Sequence, residues 1–163
     1  MTNFNAPLYK SSTDPSSDPV VRDQFNVDAT VQGYLAAGVP PEKLVVGVPF
    51  YGRGWKGVPD INHGLYQSST GAAPGRFEPG AFSYSEVKLS YLPSYQRYWQ
   101  DEAQVPWIYN PTTGIMITYE DPQSVTLKAE YVSQHHLAGM MFWELSNDGG
   151  ELLTAAYNTL TGQ

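Results

Sequence analysis

Leu44-Val45-Val46-Gly47-Val48-Pro49-Phe50-Tyr51-Gly52-Arg53-Gly54-Trp55 is the stretch that decides the fold class. Its first seven residues form a nearly continuous apolar run, the pattern of a parallel strand covered on both faces. Upstream, Asn26 stands as N-cap of a helix whose apolar stripe is Val27, Val31, Tyr34 and Leu35, and Gly38 ends it. Val39-Pro40-Pro41-Glu42-Lys43 makes a tight connector. Helix, short turn and buried strand in that order are the grammar of an α/β fold. Further upstream, residues 10–19 (KSSTDPSSDP) read as an exposed loop.

Downstream the grammar changes. Between about residues 56 and 119 Gly and Pro punctuate the chain heavily. Ser83 to Glu86 matches a capping box, so a short helix is expected through Val87 and Leu89. Gln96–Trp99 and Val105–Tyr109 read as short strands, and Asn110-Pro111-Thr112-Thr113-Gly114 as a turn into a strand at Ile115–Tyr119. The α/β pattern then returns. Asp121 caps a helix with Pro122 at its first position, running to about His136. Ala138-Gly139-Met140-Met141-Phe142-Trp143-Glu144 is a second buried strand, and residues 150–161 form a last helix. The expected organisation is an α/β segment at 1–55, a small α+β unit at 56–119 and an α/β segment at 120–163.

The chain has 163 residues, of which 41% are hydrophobic, enough for a domain with a real core. A whole eight-stranded α/β barrel typically needs about 250. The net charge is −7, with only 9 scattered Lys and Arg, which disfavours a nucleic-acid partner. With no Cys, disulfides and thiolate metal sites are excluded. His63, His135 and His136 show no metal-ligand spacing. The last two are adjacent and read as solvated helix-end residues. No stretch reaches the 18 or so apolar residues of a membrane span. No basic segment followed by an apolar run marks a signal peptide at the N-terminus. Aromatic residues make up 13% of the chain. They suit core packing, or stacking on the apolar faces of sugars in an open cleft.

Leu44–Trp55 resembles the seventh barrel strand of glycoside hydrolase family 18, the chitinases, and Ala138–Asp148 (AGMMFWELSND) resembles the eighth. Between them, PWIYNPTTGIMITYEDPQSVTLKAEYV resembles the family's insertion domain and seventh barrel helix. Asn5-Ala6-Pro7-Leu8-Tyr9 resembles the loop after the sixth strand. The resemblance covers nearly the whole chain. It implies the C-terminal part of a TIM (β/α)8 barrel, its last two strands with their helices, carrying an inserted small α+β domain. Position by position, it implies that Trp143 is the floor under the sugar at the cleavage point. Tyr51 and Arg53 would lie beside that sugar, Phe77 and Glu78 would line the cleft wall, and Glu144 would order the site. These residue types suit a pyranose, whose apolar face a Trp covers and whose hydroxyl rim Arg, Tyr and Glu bond.

The resemblance also implies what is missing. Members of this family hydrolyse their substrate with help from its own N-acetyl carbonyl, while one Glu protonates the leaving oxygen. That Glu ends a D-x-x-D-x-D-x-E motif, and the sequence contains none. The acidic runs at Asp14–Asp18, Asp101-Glu102 and Glu120-Asp121 read instead as solvated loops and helix caps. The family's M-x-Y-D is also absent, since Met1-Thr2 is followed by Asn3 and Phe4. Three readings follow: a piece of a secreted chitinase acting on β-1,4 N-acetylglucosamine chains, a non-catalytic chitin- or carbohydrate-binding module, or a folding fragment without independent function. All three are expected to be inactive alone and to need no cofactor or metal. Two parallel strands leave free edges. The expected protein partner is therefore the missing N-terminal half of the barrel, or a second copy of the chain.

Overall fold

Leu44–Trp55 does not run as one strand. In the computed structural model, which describes residues 1–76 and 78–163, it divides at Phe50 into two strands of different sheets. The elements in order are α1 (Pro19–Gln24), α2 (Val27–Ala36), β1 (Val45–Pro49), β2 (Tyr51–Lys56), β3 (Gly71–Ala72) and β4 (Ala81–Ser83). They continue with α3 (Tyr84–Glu86), β5 (Gln96–Gln100), β6 (Val105–Asn110), β7 (Ile115–Thr118), α4 (Pro122–Gln134), β8 (Gly139–Trp143) and α5 (Glu151–Thr161).

β1 pairs with β8 in parallel, Val45 opposite Gly139 and Pro49 opposite Trp143. Side chains alternate between the faces of a strand. Val46 and Val48 point into the main core with Val31, Val125, Val132 and Leu152 from the helices. The other face is open: Val45 is 55%, Met141 50% and Trp143 65% exposed. The apolar run therefore has one covered face where two are expected, because α2, α4 and α5 all pack on the same side. A hollow of about 580 Å³ separates α2, at Val27, Val31 and Tyr34, from the free edge of β1.

The second sheet is antiparallel in the order β3-β2-β7-β6-β5, with β4 also pairing β2. Dividing the chain at residue 55 leaves Tyr51–Trp55 with the first sheet; their hydrogen bonding puts them in the second. Gly52 and Gly54 make this possible. A Cβ on Gly52 would lie 2.6 Å from the Thr118 carbonyl oxygen, and one on Gly54 2.6 Å from the Phe82 ring. Phe50 is the pivot. Its N–H donates to the Trp143 carbonyl at 2.8 Å, its carbonyl accepts from the Tyr84 N–H at 3.0 Å, and its ring stacks on Phe142 at 4.7 Å. A smaller core of Val58, Leu65, Trp107, Tyr109 and Met116 fills the other face of the second sheet.

Local signals in the sequence set the helix ends. The Asn26 side chain accepts from the Ala29 N–H at 2.8 Å, and Asp121 and Ser124 cap each other reciprocally. Ser83 accepts from the Glu86 N–H at 3.1 Å, and a single π turn at Val87–Tyr91 continues α3. Residues 10–18 are less free than their composition suggests. Ser12 donates through its N–H and Oγ to the Glu102 carboxylate, at 2.7 and 2.8 Å, and Asp18 caps the short α1.

Glu120 departs from its expected solvated state. It is buried, ion-paired with the equally buried Lys128, and accepts from Ser124 Oγ at 2.7 Å. Lys128 also donates to the Ala6 carbonyl at 2.6 Å. The N-terminal strap is thus fastened where the second sheet hands over to α4. Asn5 strengthens the fastening, its N–H donating to Thr118 Oγ1 and its side chain to the Tyr51 carbonyl.

Candidate functional site

The parallel strand β8 delivers Trp143 to the end of the first sheet with its indole uncovered. The Trp143–Glu144 peptide is cis. An uncovered ring of this size marks a contact surface for something apolar on one face. One residue beyond the pivot Phe50, β2 begins with Tyr51, which faces the same space. Alternation along β2 places Arg53 on the face of Tyr51, and the guanidinium carbon lies 5.2 Å from the Tyr51 ring centroid. β4 pairs with β2 so that Tyr51 lies opposite Ser83 and Arg53 opposite Ala81. The turn before β4 carries Glu78, whose carboxylate is 3.4 Å from Arg53 Nη1.

These side chains enclose an open cleft of about 640 Å³, lined by Trp143, Tyr51, Arg53, Glu78 and Glu144 among others. Five of the six residues singled out in the sequence meet here, although they come from three separate parts of the chain. Phe77, the sixth, lies outside the described residues. Glu144 is exposed and accepts from Ser146 Oγ, so its carboxylate faces the turn after β8.

The cleft also holds residues that the motifs leave unmarked: Arg76, Ser83, Ser85, Ser146 and Asn147. Ser83 and Ser85 stand two apart in a capping pattern and share a 3.0 Å hydrogen bond. Their N-cap role is legible in sequence; their place on the cleft wall depends on β4 pairing with β2. Ser146 and Asn147 follow the Trp-Glu pair within a single turn, and that closeness to Trp143 is the one signal available for them.

The cleft combines one broad aromatic plate with a rim of hydroxyls, carboxylates and a guanidinium. Such a surface suits a ligand with an apolar face edged by hydroxyls. The Arg53–Glu78 pair is exposed and weak as a stabiliser, so its groups are available to a ligand. No group of three His, Asp or Glu among the described residues could hold a metal ion.

Known proteins resemble this chain over most of its length. The family model for glycosyl hydrolases family 18 matches residues 1–148. Chitinase A1 of Niallia circulans is 43% identical over 152 residues, covering 91% of this chain and 22% of that protein. Chitinase B of Serratia marcescens is 37% identical over 153 residues, covering 80% of this chain and 31% of that protein. Among solved structures, chitinase ChiA74 from Bacillus thuringiensis superposes with a TM-score of 0.89 at 36% identity, covering 99% of this chain and 29% of that one. The chain spans between about a fifth and a third of the length of these relatives. Matched through most of its length by the family model and by relatives of this identity, the chain belongs to glycosyl hydrolase family 18.

Proposed function

We propose that this chain forms the floor and one wall of the substrate cleft of a chitinase. Trp143 is the floor, and Tyr51, Arg53 and Glu78 line the wall, with Glu144 at the rim. The substrate is a β-1,4 N-acetylglucosamine chain, hydrolysed with retention through the substrate's own N-acetyl carbonyl. The proton donor is supplied from outside this chain, since the sequence has no D-x-x-D-x-D-x-E motif. In this reading β1 and β8 are the last two strands of a (β/α)8 barrel, and the second sheet is a domain inserted between them. Trp143 then ends a barrel strand on the face where such barrels hold their active sites. The remaining barrel strands are the natural partner of the free β1 edge, and the parent enzyme is secreted to reach its polymer.

The observation that carries the proposal is the 65% exposed Trp143 facing the paired Arg53 and Glu78 across one cleft. Calorimetric titration with chito-oligosaccharides tests it. The chain binds them saturably without hydrolysing them, and Trp143→Ala weakens binding roughly tenfold or more, as loss of a large stacked ring at a recognition hot spot does. Turnover by the isolated chain would overturn the assignment of the acid.

A second reading is a non-catalytic carbohydrate-binding module. It is favoured by the assembly of the cleft from this chain's residues alone. Oligosaccharide affinity that does not rise when the remaining barrel strands are supplied supports it over the first; absence of binding leaves a folding fragment.

A further inference from the structure

β2 presents three side chains on one face: Tyr51, Arg53 and Trp55. The first two open onto the cleft beside Trp143. Trp55 stands about 13 Å further along the strand from Tyr51, at the usual rise per residue. A second hollow, of about 390 Å³, opens there. Arg53 lines both spaces, so the two adjoin at its side chain. Its other walls are Trp55 and Ser69, with Ala72 and Gly80 beneath.

Trp55 is half-buried. It packs against the smaller core, opposite Met116 in the β2–β7 register and Ala72 in the β2–β3 register. Trp55 is also among the residues that line the hollow. The residues around it are small, and a Cβ on Gly80 would come within 3.1 Å of the Ala72 Cβ. The hollow therefore offers an aromatic plate, a hydroxyl on Ser69 and the guanidinium of Arg53, over a floor of small residues.

We propose that this hollow is a further sugar subsite. One pyranose ring stacks on Trp55 while another part of the same chain rests on Trp143, and Arg53 bonds hydroxyls between the two. The inference depends on the cleft being a sugar site. It adds that the bound chain runs along β2, and that Trp55 makes the chain length matter.

Titration of the full chain with N-acetylglucosamine oligomers from dimer to hexamer tests this. Affinity rises with length in the unsubstituted protein. Trp55→Leu lowers hexamer affinity roughly five- to tenfold and leaves the dimer unchanged, as removal of one stacking plate does. Trp143→Ala weakens both. Ser69→Tyr fills the hollow and leaves residue 55 unsubstituted, so it gives the same length-selective loss even if Trp55→Leu disturbs the fold. Hexamer affinity unaltered by Ser69→Tyr, with Trp55→Leu either unaltered or equally damaging to dimer and hexamer, would mean that Trp55 only plugs the smaller core and would sink the subsite. Failure of the unsubstituted chain to bind any oligomer would instead overturn the reading of the whole cleft, and the subsite with it.

Discussion

At the scale of single residues, the most consequential pair is Glu120 with Lys128. Two charges have been taken out of water at the junction between the second sheet and α4, and Ser124 and the Ala6 carbonyl complete their hydrogen bonding. Such a pair adds little net stability while intact, but it is costly to break from one side. Lys128→Met leaves a carboxylate stranded in the core and is expected to destabilise the fold by about 3–5 kcal/mol in urea unfolding. The double variant Glu120→Leu with Lys128→Met removes both charges and is expected to recover most of that loss. Nothing in the local sequence announces this pair. An acidic residue ahead of an Asp-Pro helix start has the pattern of a solvated cap, and Lys128 alone looks like any helix lysine. Their burial depends on a strap more than a hundred residues away in the chain, so the local pattern at Glu120 points to solvent. Trp143, Tyr51 and Arg53 stand out for the opposite reason: each lies in a short stretch that carries the family resemblance, and the fold brings them to one cleft.

Among elements, the contact that matters for the cleft wall is α3 against α5. Glu151, in the first turn of α5, accepts from Tyr84 at 2.7 Å and from Lys88 at 2.6 Å, so it ties the second sheet's helix to the first sheet's last helix. These two donors, Lys88 first, hold the Glu151 carboxyl below its ordinary value of 4.5. A carboxylate depressed in the folded state stabilises it above the unfolded value, and that contribution disappears as pH falls through the folded value. The group is largely solvated, so the effect stays within about 1 kcal/mol. Melting temperatures of the chain and of Glu151→Gln are therefore expected to differ at neutral pH and to converge below pH 4.5. α2, α3 and α4 are readable from their caps, because Asn26, Ser83 and Asp121 each act on backbone within three residues; the short α1 lies beyond a stretch whose composition reads as loop. β1 and β5 to β8 are readable in position but not in partner, and the short β3 and β4 have no strand pattern of their own. Leu44–Trp55 resembles a single barrel strand, yet Gly52 and Gly54 admit β7 and Phe82, and the chain changes sheets at Phe50. The place of Ser83 on the cleft is not written in its local sequence, because pairing with a distant strand aims it.

On the scale of the whole molecule, one face of the first sheet has no cover. Val45 and Met141 are about half exposed, β1 has a free edge, and the neighbouring hollow is bounded by α2. A free parallel edge beside an apolar face favours pairing with another chain. Multi-angle light scattering of the isolated chain is expected to give a dimer or larger species, shifted toward monomer by Val45→Glu with Met141→Lys. A cooperative monomer in the unsubstituted chain would contradict this. The second sheet is finished in a way the first is not, and its two attachment points nearly touch. The chain enters it at Tyr51 and leaves after Thr118; Arg53 and Thr118 are register partners, and Asn5 hydrogen-bonds to both Tyr51 and Thr118. Entry and exit this close make residues 51–119 a cassette. Exchange between relatives at those two points would replace the residues that face Trp143 across the cleft, while leaving Trp143 itself in place.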